Sequence, residues 1–179
     1  MKTRSLVCFI LSCMAAPVAQ GAARLQDDPI ETARGLIDRW LPAQAKAFEL
    51  TVIPADEGRD VFEIESLDGR IVLRGNNGLA LASALNWYLK YFCHCHVSLK
   101  AAQLRLPRPL PLVQPKLRRV CQDRWRYFLN YCCFGYSLPW YDWADWERLI
   151  DWMALQGINA PLSVTGQEAV WLAAGRRLG

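Results

Sequence analysis

The sequence predicts an α/β protein: a small α/β sandwich followed by the opening of a parallel strand–helix array. Three observations predict it. Between residues 28 and 106 the hydrophobic period switches from helical to alternating and back, in the order α-β-β-β-α-β. A proline-rich, basic stretch at 107–120 then interrupts every period. From 121 to 179 the order becomes strand, helix, strand, helix, which argues for parallel pairing because parallel neighbours need a crossover between them.

In the first segment Ile30, Ala33, Ile37, Trp40 and Leu41 recur at helical spacing, and Pro42 stops that helix. Residues Phe48 to Ile53 and Val61 to Glu65 alternate with period two. Leu67-Asp68-Gly69-Arg70 supplies a turn, and Ile71 to Arg74 reads as the next strand. Gly75-Asn76-Asn77-Gly78 is a loop with a side chain able to cap a helix, and the long apolar run from Leu79 to Phe92 predicts a helix buried almost all round. Val97-Ser98-Leu99 is expected as a closing strand. Pro107, Pro109, Pro111 and Pro115 predict a stiff extended linker, since proline fixes φ and restrains the residue before it. Lys116, Arg118, Arg119, Arg124 and Arg126 read as a solvated approach to the second segment.

The second segment opens with a short strand at Arg126–Leu129 that ends at Asn130. Asp142 suits an N-cap, and Asp145 and Glu147 complement the N-terminal end of a helix running to about Gln156, where Gly157 can terminate it. Ile158 to Ser163 reads as the next strand, and Thr165-Gly166-Gln167-Glu168 opens another helix. In parallel arrays of this kind, polar residues at the C-terminal ends of strands are where chemistry is placed.

Lys2 and Arg4, the apolar run Leu6–Ala16 and the small residues Ala19, Gly21, Ala22 and Ala23 read together as a secretory signal over 1–23, too short for a transmembrane span. Ile10-Leu11-Ser12-Cys13 matches a lipoprotein cleavage box only loosely. The whole chain has 21 basic and 17 acidic residues; removing Lys2 and Arg4 leaves a net charge of +2, which gives no argument for a nucleic-acid partner. Five cysteines remain: Cys93, Cys95, Cys121, Cys132 and Cys133. An odd number leaves at least one thiol unpaired within the chain, so this is no disulfide framework.

Cys93-His94-Cys95-His96 is a poor metal site, because alternate residues of an extended segment face opposite ways; the cysteines are expected inward on a strand and the histidines outward. A Cys132–His nucleophilic pair lacks supporting context. Capping and solvation account for Asp142, Asp145, Glu147 and Asp151, and Glu168 suits a first helical turn. No convincing pair of catalytic carboxylates emerges, and no catalytic residue is nominated.

Several long motifs resemble the α-N-acetylglucosaminidases, exo-acting glycoside hydrolases that include a lysosomal enzyme trimming heparan sulfate. They are Tyr127-Phe128-Leu129-Asn130-Tyr131-Cys132, Tyr141 to Arg148, Ile150 to Asn159 and Gly166 to Trp171. Tyr91 to Val97 and Gln103 to Pro111 resemble the end of that family's N-terminal α/β domain. The resemblance covers nearly all of the chain beyond the signal. It implies a (β/α)₈ TIM barrel from residue 121 onward, of which this chain holds one to two βα units where eight are needed. It also implies hydrolysis of terminal, non-reducing α-linked N-acetylglucosamine by a retaining two-carboxylate mechanism with no cofactor. The two glutamates lie further along the family's barrel, so this chain alone is expected to be inactive. Asn130 and Cys132 match the Asn and Cys that contact the terminal sugar. The tryptophans from 140 to 152 are expected mainly in the packing. Export is expected, to a periplasm, medium or lysosome according to the source. The rival expectations are a non-catalytic exported glycan- or protein-binding module, and a piece without independent function.

Overall fold

The computed structural model describes residues 28–128, 132, 136–162 and 167–179. The predicted signal and Asn130 lie outside the described residues.

Helix α1 (Pro29–Trp40) starts on Asp28, whose side chain accepts from the Ile30 amide, with proline in the first turn where no amide is required. Strands β1 (Phe48–Val52), β2 (Val61–Leu67) and β3 (Arg70–Gly75) follow. The β2–β3 turn places Asp68 and Gly69 at positive φ, the reason for glycine there. Helix α2 (Gly78–Tyr91) is capped by Asn77, which accepts from the Ala80 amide at 2.8 Å. As predicted, α2 is buried along most of its length, through Leu81, Leu85, Tyr88 and Leu89. Each such leucine contributes roughly 1.5–3 kcal/mol by leaving water. Tyr88 packs edge-on to Phe48 and donates its hydroxyl to the Pro111 carbonyl at 2.9 Å, so its one polar atom is satisfied.

The sheet and the two helices form two layers. Ile64, Ile71 and Leu73 face α1 and α2, while Glu63, Glu65 and Arg74 lie on the opposite face. The strand order is β1-β3-β2-β6, and β1 runs parallel to β3. The edge strand β6 (Leu117–Val120) comes from the stretch expected to be linker, which corrects that reading. The chain is pinned to the sheet before β6 begins: Val113 donates to Ser66 Oγ at 2.8 Å and accepts from the Ser66 amide at 3.1 Å. In β6, Arg118 sits directly opposite Glu63, and Arg118 and Lys116 bond its carboxylate at 2.7 and 3.0 Å. A basic strand is held here because a buried carboxylate waits on the neighbouring strand.

The expected closing strand at 97–99 is a second correction. β4 (His96–Val97) pairs with β5 (Ala102–Gln103) in a separate ribbon, and β6 takes the edge position of the main sheet. Cys93 and Cys95 do point inward and His94 and His96 outward, but residues 93–95 form the exit from α2 and only His96 belongs to a strand. Burial, the largest influence, pushes the Cys93 thiol up to about 11, so it stays protonated and behaves as a core residue.

The second segment begins with β7 (Tyr127–Phe128), continues through α3 (Trp143–Leu155) to β8 (Ala160–Pro161), and ends in α4 (Gln167–Leu178). β7 and β8 are parallel, as the strand–helix alternation predicts. No helix among the described residues is long and apolar enough to cross a membrane.

Candidate functional site

In the parallel pair, Tyr127 stands opposite Ala160 and Phe128 opposite Pro161. Ala160 and Leu162 donate to the carbonyls of Arg126 and Phe128 at 3.2 and 2.7 Å, so β8 bonds to β7 through alternate residues. Pro161, which has no amide hydrogen, occupies the position from which none is asked. The C-terminal ends of both strands therefore point the same way.

Cys132 lies in the segment leaving β7 and is exposed. Asn130 and the polar stretch after β8 lie outside the described residues. Further along the same segment, Leu138 is buried while Trp140 is 82% exposed. Asp142 then caps α3 through a reciprocal box: it accepts from the Asp145 amide at 3.0 Å while the Asp145 carboxylate receives its own amide at 3.4 Å. The aromatic run divides, which corrects the expectation that most of it packs. Trp152 meets Phe128 edge-on with ring centroids 5.0 Å apart, and Trp146 meets Tyr141 at 5.7 Å, but Trp140 and Trp143 are on the surface. Lys100, on the β4–β5 turn, stands over the Tyr141 ring at 5.9 Å, so the first domain reaches the loop that bears the strand end.

The opposite end of the pair is a polar junction that local sequence patterns do not reveal. The Arg126 guanidinium bonds the Asp60 carboxylate, the Gly157 carbonyl and, at 2.9 Å, the Asp123 carbonyl. Its backbone amide donates to Asn159 Oδ1 at 2.8 Å, and Asn159 Nδ2 reaches the Arg124 carbonyl at 2.9 Å. Asp60 also accepts from Asn77, the cap of α2, at 2.7 Å. Burial works to raise its pKa, but the bonds from Arg126, Asn77 and Asn76 outweigh burial and hold it below the ordinary carboxylate range.

A second junction fixes α3. Asp151, expected to be solvated, is buried and accepts from Arg39 at 2.8 and 2.5 Å and from the Trp40 indole at 2.9 Å. Its only advance signal is position: it stands one turn before Leu155 on the apolar face of the helix. A cleft of about 340 Å³ lies between α2, β6 and the end of α3, beside the Arg126 junction at the root of β7.

A two-layer α/β domain passes directly into a parallel βαβ unit, the repeating unit from which α/β barrels are built. The family comparisons make this specific. The Alpha-N-acetylglucosaminidase (NAGLU) N-terminal domain matches residues 31–112, and the tim-barrel domain of the same family matches residues 126–179. The chain belongs to the α-N-acetylglucosaminidase family. Human α-N-acetylglucosaminidase is 44% identical over 158 residues, which span 86% of this chain and 21% of that protein. A family 89 glycoside hydrolase from Clostridium perfringens in complex with PUGNAc superposes with a TM-score of 0.75 at 31% identity, covering 78% of this chain and 16% of that one. A variant of that enzyme in complex with its substrate GlcNAc-alpha-1,4-galactose gives 0.76 at the same identity, covering 80% and 16%. The chain thus spans about a fifth of the length of the curated relative it matches.

Proposed function

We propose that these residues serve an exported glycoside hydrolase that removes terminal, non-reducing α-linked N-acetylglucosamine, and that they build its N-terminal domain and one wall of its sugar pocket. The observation that carries this reading is the match of both domains of the family, in order, on a chain whose β7 and β8 run parallel. In the proposed pocket Asn130 exchanges hydrogen bonds with sugar hydroxyls, and Cys132, exposed beyond β7, packs against the ring. Retaining hydrolysis needs a nucleophilic carboxylate and an acid–base carboxylate about 5–5.5 Å apart. Asp142 and Asp145 form the capping box of α3, and Asp151 is held by Arg39 and Trp40. Following the family resemblance, the proposal assigns the catalytic glutamates to parts of the barrel further along than these residues. Lys2, Arg4 and the apolar run after them supply the export signal of the same proposal.

Two measurements test it. The purified chain should release no nitrophenol from 4-nitrophenyl α-N-acetylglucosaminide; turnover above a blank would overturn the assignment of the carboxylates. Residues 28–179 grafted over the matching segment of the human enzyme should retain hydrolysis, and Asn130→Ala in that graft should raise KM for the aryl substrate by at least about tenfold, the value of a hydrogen bond to a bound hydroxyl. A folded but inactive graft would argue against the reading. Saturable binding of N-acetylglucosamine by the chain alone, lost on Asn130→Ala, would favour a glycan-binding module instead.

A further inference from the structure

We propose a function for the N-terminal domain: it is the template on which the first strand–helix–strand unit of the barrel folds. Taken by itself that unit is weak. β7 and β8 are two residues each, and α3 has 13 residues. A two-stranded pair is marginal in water, and an isolated helix of that length is marginal too.

What holds the unit comes from the other domain. Leu155 is part of the N-terminal domain's core, with Trp152 and Ala154 packed against it. Asp151, at the centre of the buried face, has both oxygens satisfied by Arg39 and Trp40 of α1. Without those donors the helix would bury an unpaired carboxylate, so its docked state exists only against this domain. At the end of α3, Gln156 Nε2 reaches the Val97 carbonyl at 3.5 Å. The root of β7 is tied through Arg126 to Asp60, which also holds the cap of α2. Helix, strand root and turn are thus each fixed to the same preformed layer.

Hydrogen exchange of the full chain, read by mass spectrometry, tests the idea without reference to turnover, so it stands or falls apart from the proposed activity. The amides of α3 should approach the protection of those of α2, at least about 100-fold above an undocked helix. Asp151→Asn keeps the shape but removes the charge that Arg39 and Trp40 meet. It should cut the protection of α3 by about tenfold or more while leaving α2 unchanged. Asp60→Asn, acting at the root of β7, should cut the protection of residues 126–128 and 157–162; the first turn of α2 is expected to respond as well, because its cap Asn77 also donates to Asp60. The proposal is overturned if α3 exchanges as freely as an undocked helix in the unaltered chain, or if both variants leave the unit's protection unchanged. It is equally overturned if α2 loses protection in step with α3, which would make the dependence mutual.

Discussion

Gly157 ends α3 at φ +72°, and a β-carbon built on it would lie 2.9 Å from Ser83 Oγ of α2. Two separate costs meet at this residue: a left-handed backbone that side chains resist, and a close approach between helices. Gly157→Ala is expected to destabilise the chain by about 1–3 kcal/mol, read as a lower urea midpoint at unchanged slope. Adding Ser83→Ala should recover only the steric share. At this scale the sequence is readable where one residue dictates its own geometry. The ending at Gly157, the caps at Asn77 and Asp142 and the inward Cys93 and Cys95 were all legible for that reason. Asp151 was not, because an aspartate on a helix suits water unless its donors are known, and Arg39 lies 112 residues away. The site residues divide likewise: Cys132 was nominated through resemblance to a family, whereas Arg126 and Asp60 have no local pattern that announces them.

Among the elements, α3 is the best test of capping, because its docking is set elsewhere. Asp142→Ala removes the acceptor for the Asp145 amide and should cost about 1 kcal/mol, visible as a lower thermal midpoint. Exchange should quicken in the first turn, around Trp143 to Trp146, and not at Asp151 or Leu155. The period-two runs of β2 and β3 and the apolar length of α2 made those elements legible. β6 was hidden, since Leu117-Arg118-Arg119-Val120 beside four prolines resembles a solvated connector. It pairs with β2, where Glu63, 55 residues earlier, presents a carboxylate to Arg118 across the sheet. Pairing of that range is a property of the fold and leaves no local periodicity.

For the molecule as a whole, Glu63 and Asp60 are two carboxylates expected to contribute to the loss of stability in acid, alongside Asp56, which Arg118 also holds below its ordinary range. Burial tends to raise Glu63, but the bonds from Lys116 and Arg118 outweigh it, and both carboxylates end below their ordinary range. A group depressed in the folded state binds its proton more readily when unfolded. Its stabilisation is therefore complete above the unfolded pKa of about 4 and is lost as pH falls through the folded value. Thermal midpoints should be flat from about pH 5 to 7 with respect to these groups and drop below about pH 4. Glu63→Gln should lower the plateau and soften the drop; an unchanged acid profile in that variant would remove Glu63 from the account. The partner of Glu63 has a second consequence. Among the described residues β6 is an outer edge of the sheet, and Arg118 and Arg119 are exposed along it. An edge strand offers unpaired backbone groups to any passing strand, and the bulky, hydrated arginines standing on it make a like edge harder to dock. Replacing both arginines with threonine would therefore do more than loosen a strand: the sheet would gain a surface on which copies of the chain could stack.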